Sequence, residues 1–179
     1  TREKKLIDSV SSWWSVIHGY KHPALTEAIK SQADRFSHVM LGGLTHEPVR
    51  KLAEKLEKPL FLHERSASED FIRRFKRHPD ICKRSVVHCF TGNKKVLEQY
   101  LSMGFSIGIT GWICDDRRAK ELREAVSLIP LDRILVETDA PYLTPKNVPG
   151  PGRTNVPQNI RYVVQELAKY RKVTEETLM

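Results

Sequence analysis

The sequence predicts an α/β chain in which parallel strands alternate with crossover helices. Three observations predict it. Short apolar runs (PLFL, SVVH, FSIGI, RILV) recur about every 25 residues, and amphipathic stretches of helical period separate them. Three of the four runs lead into a histidine or an aspartate. Strands spaced in this way are joined by right-handed crossovers. Four such units make either half of an eight-stranded barrel or an open doubly wound sheet. No G-x-G-x-x-G follows the first strand and no P-loop is present, so nothing favours a nucleotide-binding sheet.

A chain of 179 residues suffices for one sizeable core, or for a fragment of something larger. Its 40% hydrophobic and 29% charged residues are those of an ordinary soluble globular protein. The net charge of +8 suits an anionic partner such as nucleic acid. No apolar run is long enough to span a bilayer and no cleavable signal opens the sequence, so no membrane role is expected and the expected location is cytoplasmic. Cys82, Cys89 and Cys114 form no C-x-x-C pair, which argues against a disulfide framework or a thiolate zinc site.

Residues 1–50 differ in texture from the rest. Leu6, Ile7 and Val10 are expected in a short strand, followed by the tandem Trp13 and Trp14. A helix is expected from Pro23 to about Phe36, with Ala24, Leu25, Ala28, Ile29 and Ala33 at helical spacing. Gly42 and Gly43 mark a turn or a close backbone approach. None of His18, His22, His38 and His46 forms an H-x-H or H-x-x-x-H cluster with a nearby carboxylate, so they read as packed or surface histidines. Trp13, Trp14 and Tyr20 read as core or pocket-wall aromatics.

From about Arg50 the strand–helix units begin. VRKLAEKLEK is a helix by composition, ended by Pro59, and PLFLHER is a buried strand finishing in His63, Glu64 and Arg65. SASEDFIRRFKRH follows as a helix, with Ser66 and Glu69 as a capping box and Phe71, Ile72 and Phe75 as its buried stripe. SVVHCF is the second strand, ending in His88. The next helix carries Val96, Leu97, Tyr100 and Leu101 and stops at Gly104. In FSIGITGWI, Gly108 and Gly111 point to close approach of backbone or ligand. Asp115 or Asp116 is expected to cap the helix that buries Ala119, Leu122, Val126 and Ile129. RILVETDAPYL is the fourth strand, expected to be buried on both faces. The Pro/Gly-rich loop TPKNVPGPGRTNVP leads to a last helix, NIRYVVQELAKYRK.

His63, His88 and Asp139 thus stand at strand C-termini, which in a parallel barrel open onto one face. Imidazole and carboxylate donors suit zinc, manganese or magnesium. Such an ion lowers the pKa of bound water and polarises a phosphoryl oxygen. Asp139 has a second reading, as the residue that closes the turn before Pro141.

KPLFLHER, VVHCFTG, GFSIGITGWICDDRR and IPLDRILVETDAPYLTP resemble the second half of the TatD family of metal-dependent deoxyribonucleases, over about residues 51–179. The resemblance implies a partial TIM barrel of the metal-dependent hydrolase type, of about four βα units, with an N-terminal strand–helix extension. It implies hydrolysis of DNA phosphodiester bonds from the 3′ end by metal-activated water, with a divalent ion (Mg, Mn or Zn) as cofactor and DNA as substrate. By the same resemblance His63 and His88 are metal ligands, and Asp139 holds metal and acts as the catalytic base. Arg65, Arg153 and Asn155 contact substrate. Glu137 either shares the face of Asp139 or braces the barrel interior. The family's opening H-x-H strand and its bridging glutamate in G-E-x-G-L-D have no counterpart in residues 1–50. An inert fragment or binding-only module is therefore the alternative. A half barrel also exposes two strand edges, through which copies can self-associate.

KKLIDSVSSWWSVIHGYKHPALTEAIKSQADRFSHVMLGGLTHEP resembles the N-terminal segment of diaminopelargonate aminotransferase, a pyridoxal-phosphate family of biotin synthesis. The resemblance implies that Trp13 and Trp14 correspond to the tryptophans lining that family's substrate pocket. The family's Schiff-base lysine has no counterpart, so an aminotransferase remnant is a remote alternative. The expected division is an aminotransferase-like segment over 1–50 and a TatD-like partial barrel over 51–179.

Overall fold

A computed structural model of the chain describes residues 21–35, 51–52, 54–150 and 154–179. The strand expected near Leu6, the tandem Trp13 and Trp14, Tyr20, the histidines His18, His38 and His46, the Gly42–Gly43 pair and Arg153 lie outside the described residues. The chain divides into two units, Thr1–Val39 and Met40–Met179. In the first, α1 (Pro23–Arg35) is the expected helix, with proline at its first position.

In the second unit, residues 51–52 and 54–55 are helical, as VRKLAEKLEK predicts. Four strands follow: β1 (Phe61–His63), β2 (Val86–His88), β3 (Ser106–Ile109) and β4 (Ile134–Val136). All pairings are parallel and the order is sequential, β1-β2-β3-β4. Between the strands run α2 (Ser68–Phe75), α3 (Pro79–Arg84), α4 (Lys94–Met103) and α5 (Lys120–Ala125), and α6 (Ile160–Arg171) comes after β4. Sequential parallel order is the arrangement of consecutive βα units in a barrel wall.

Strand alternation sorts the side chains onto two faces. Val87, Ile107 and Ile109 are buried on the face that joins the hydrophobic core, together with Leu97 and Leu167 from the helices. Phe71, Phe75, Tyr100 and Phe105 seal one side of that core with ring centroids 4.8–6.1 Å apart. The opposite face presents Phe61, His63, His88, Gly108, Leu135 and Glu137.

Four local expectations are corrected. β1 and β4 are edge strands rather than buried ones: Phe61 is 67% exposed and Leu135 40%. Among the described residues each has one strand neighbour. The Ser66–Glu69 capping box does not form. Ser66 takes a left-handed backbone (φ 57°) and Ala67 is the N-cap, with no side-chain bond. Glu64 accepts from the Ala67 N–H (2.6 Å) instead, and its other oxygen accepts from the Tyr100 hydroxyl (2.8 Å). Asp115 does not cap α5. It accepts from the N–H groups of Arg117 and Arg118, and so closes a turn that ends before the helix begins at Lys120. Finally, α3 was not foreseen. Its signal is Pro79 at a helix start, with Ile81 and Cys82 buried one turn on. By contrast α4 ends as expected, with Gly104 closing the helix at φ 99°, and at its start Asn93 Oδ1 accepts from the Val96 N–H (3.1 Å).

Candidate metal centre

The centre is built from the C-terminal ends of β2 and β4, with β3 between them. His88 is the last residue of β2 and projects from the face opposite the core. Glu137 follows β4 and must reach across β3 to meet it. Gly108 permits this, because a Cβ there would overlap the Glu137 carboxylate. Close approach at this glycine serves a side chain rather than the backbone or ligand expected. At Gly111 it serves backbone, since a Cβ would overlap the carbonyl oxygen of Leu143.

With that space open, Glu137 Oε2 accepts from His88 Nδ1 at 2.7 Å and from the Cys89 N–H at 3.1 Å. Both side chains are mostly buried, at 14% and 13% exposure. The other ring nitrogen, Nε2, lies 3.3 Å from Asp139 Oδ1. One imidazole therefore stands between two carboxylates. The hydrogen bond to Glu137 raises the His88 pKa above its usual value of 6.5, outweighing the burial that lowers it, and Asp139 adds to the rise. When the ring is neutral, Nδ1 keeps its proton for Glu137 and Nε2 turns its lone pair toward Asp139. A carboxylate behind a histidine with its second nitrogen free is the usual support of a metal-binding imidazole. The 3.3 Å separation also matches two donors on one tetrahedral ion, which stand about 3.3 Å apart for bonds of roughly 2.0 Å. The donor set fits a divalent metal.

Cys89 belongs to the same cluster. One ligand atom each from His88, Cys89 and Asp139 lie within 4.8 Å of one another. Cys89 has φ 49°, and its buried thiol sits 3.3 Å from Thr110 Oγ1. Burial pushes the thiol up to about 11, so it is protonated at neutral pH and would release its proton on ligating a metal. Asp139 also has φ 56°, and its carbonyl accepts from the Tyr142 N–H at 2.8 Å. Its backbone closes the turn that contains Pro141 while its carboxylate faces His88.

The remaining expected residues are placed as follows. His63 pairs in register with His88, with ring centroids 5.7 Å apart, and is exposed at the end of β1. Arg65 is exposed, its guanidinium 5.9 Å from the centre of the Trp112 ring. Asn155 is buried, and its side chain is spent within the chain. Its amide donates to the carbonyls of Thr138 and Tyr142, both at 2.7 Å, and its oxygen accepts from the Val156 N–H and from Asn159, both at 3.0 Å. It clamps the loop that carries Asp139. Sequence reasoning placed Glu137 near the site without its partner, and missed Cys89. The available signals were a glycine in the strand between them and a thiol adjoining a strand-end histidine.

A family model described as TatD related DNase matches residues 47–179, well over half of the chain. The chain belongs to the TatD family. Curated relatives of this TatD chain include proteins named 3′-5′ ssDNA/RNA exonuclease TatD. That of Erwinia amylovora is 51% identical over 122 residues, 67% of this chain and 47% of its own length. That of Rahnella sp. is 48% identical over 122 residues, 67% and 46% of the two chains. The chain thus spans about half the length of the curated relatives it matches. Among solved structures, the TatD homologue YjjV of Escherichia coli K12 matches with a TM-score of 0.67 at 24% identity, over 88% of this chain and 67% of that one. A TatD-family hydrolase of Entamoeba histolytica matches at 0.61 and 23%, over 73% and 50%. These likenesses bear out the α/β fold as a partial TIM barrel. A class-III aminotransferase model also matches residues 1–70, in keeping with the second resemblance.

Proposed function

We propose that this TatD chain is a divalent-metal phosphodiesterase that hydrolyses DNA from its 3′ end, with water as nucleophile. The observation that carries the reading is the His88 imidazole held between Glu137 and Asp139 at a strand-end face. It is supported by the names of the curated relatives, 3′-5′ ssDNA/RNA exonucleases. His88 and Asp139 hold the ion, with His63 approaching from the neighbouring strand. Magnesium, manganese and zinc all suit nitrogen and oxygen donors, and the Cys89 thiol beside them makes zinc the best matched. When bound, the ion lowers the pKa of water and polarises a phosphoryl oxygen.

The chain's own residues supply the rest. Glu137 is a positioning residue: it fixes the His88 tautomer and ring plane. Asp139 orients the attacking water and takes its proton. Arg65 and Arg153 neutralise phosphate charge, and Asn155 holds the Asp139 loop in place. Residues 51–179 form the nuclease part and residues 1–50 an aminotransferase-like segment. The exposed edge strands, with Phe61 and Leu135 uncovered, favour self-association. Among the described residues no helix is long and apolar enough to cross a membrane, and we assign the chain to the cytoplasm.

The test is a 3′-labelled oligonucleotide with manganese, magnesium or zinc. Asp139→Asn should abolish cleavage while leaving the unfolding free energy within about 0.5 kcal/mol of the parent. Cleavage that persists in this variant overturns the assigned role. Calorimetry showing no heat with any of the three ions leaves a binding-only module.

A further inference from the structure

Cys89 sits where strand geometry would not put it. Successive side chains of β2 alternate between faces, so Val87 enters the core, His88 faces the other way, and position 89 should return to the core face. Instead Cys89 takes a left-handed backbone, φ 49°, which few residues other than glycine adopt, and the alternation stops there. Its N–H donates to Glu137 Oε2 (3.1 Å), the same oxygen that accepts from His88 Nδ1 (2.7 Å). One carboxylate therefore fixes the backbone of Cys89 and the ring of His88 together. As a result, ligand atoms of two adjacent residues, and of Asp139 from the end of another strand, lie within 4.8 Å of one another.

Three donors of different chemistry meet in this cluster: an imidazole nitrogen, a carboxylate oxygen and a sulfur. A sulfur and a nitrogen on one tetrahedral ion stand about 3.5 Å apart, for bonds of roughly 2.3 and 2.0 Å. An ion drawing the three together therefore closes the set by roughly 1 Å, which side-chain torsions can supply.

The sulfur also has the support that a bound thiolate needs. Its neighbour at 3.3 Å is the hydroxyl of Thr110, a fully buried residue. A hydroxyl both donates and accepts, so Thr110 can accept from the thiol and then donate to the sulfur once its proton has gone. The other two cysteines are placed differently. Cys82 donates to the carbonyl of Phe75 and Cys114 to that of Tyr162, and a carbonyl offers a thiolate no donor.

We infer that Cys89 is a metal ligand of this centre, and that its thiolate is what selects zinc over magnesium and manganese. On binding, the S–H bond breaks, a sulfur–zinc bond forms with the sulfur's electron pair, and the proton leaves to water with no change of oxidation state. Thiolate sulfur suits zinc, whereas imidazole and carboxylate alone leave the harder ions acceptable. The inference rests on the metal-centre part of the proposed function and deepens it, by adding a third donor and a basis for choosing among the three ions.

The experiment is a cobalt(II) titration of the full, reduced chain followed by absorption, with zinc and manganese calorimetry alongside. Cobalt serves as the probe for zinc, because a cobalt–thiolate bond gives an intense sulfur-to-metal charge-transfer band in the near ultraviolet. The parent should show that band, Cys114→Ser should keep it, and Cys89→Ser should lose it. Cys89→Gly, which suits the left-handed backbone, should lose it too and serves where the serine variant does not fold. Zinc affinity should fall at least about tenfold in both Cys89 variants, with manganese affinity within about twofold of the parent. A cobalt-loaded parent without the band, or a band that survives both Cys89 substitutions, overturns the inference. So does a parent that binds no cobalt, and manganese-dependent cleavage then decides the nuclease reading separately. A band lost with Cys89, in a chain that cleaves no oligonucleotide, upholds the ligand and removes the nuclease reading.

Discussion

The two faces of the four-stranded sheet use the same backbone for opposite ends. The helix-covered face is apolar and closed: Val87, Ile107 and Ile109 are all but fully buried. The other face carries imidazoles, a carboxylate, a glycine and uncovered apolar side chains. The first face supplies the stability that holds the strand ends in place. The second can then carry groups that would be costly in a core, since an unpaired buried charge destabilises strongly. Stability and chemistry are divided between alternate residues of the same strands.

Breaking the covered face should have the largest effect. Ile107→Ala should cost about 2–5 kcal/mol, read from the urea midpoint, whereas Leu135→Ser on the open face should cost less than about 0.5 kcal/mol. Equal losses would mean that the two faces are not distinct in energy.

Next comes Glu137→Gln, which keeps the shape but weakens the bond to His88. Metal affinity by calorimetry should fall about 10–100-fold with little change in the unfolding midpoint. An unchanged affinity would remove Glu137 from its positioning role.

A smaller effect belongs to pH. Glu137 holds the His88 pKa above 6.5 in the folded chain. A raised folded value adds stability that is fully present below about 6.5 and is lost as pH rises through the folded value. The metal-free chain should therefore become slightly less stable on going from about pH 6 upward through that value. Urea midpoints across the range should show this step in the parent and a reduced one in Glu137→Gln.

Much of this division was legible in the sequence, for physical reasons that differ by residue. The four strands and the strand-end positions of His88 and Asp139 follow from periodicity and from the rule that parallel strands open at their C-termini. The His88–Glu137 contact was not legible, because it spans 49 residues and skips a strand. It depends on the absence of a side chain at Gly108. The exposure of Phe61 and Leu135 was hidden too. An apolar run signals that a face is suited to burial, and whether anything covers it depends on the rest of the assembly. At Ser66 a plausible cap motif lost to a left-handed turn, with Glu64 serving the backbone in its stead.

Gly108 makes the site fragile in a way that inspection of its ligands would not disclose. It offers no donor or acceptor side chain, yet a single methyl there displaces the carboxylate that aims His88. A Gly108→Ala allele should yield normal amounts of folded protein by immunoblot and a metal affinity, read by calorimetry, lowered as far as in Glu137→Gln. In a genetic screen it would look like an active-site lesion, although the altered residue has no functional group of its own.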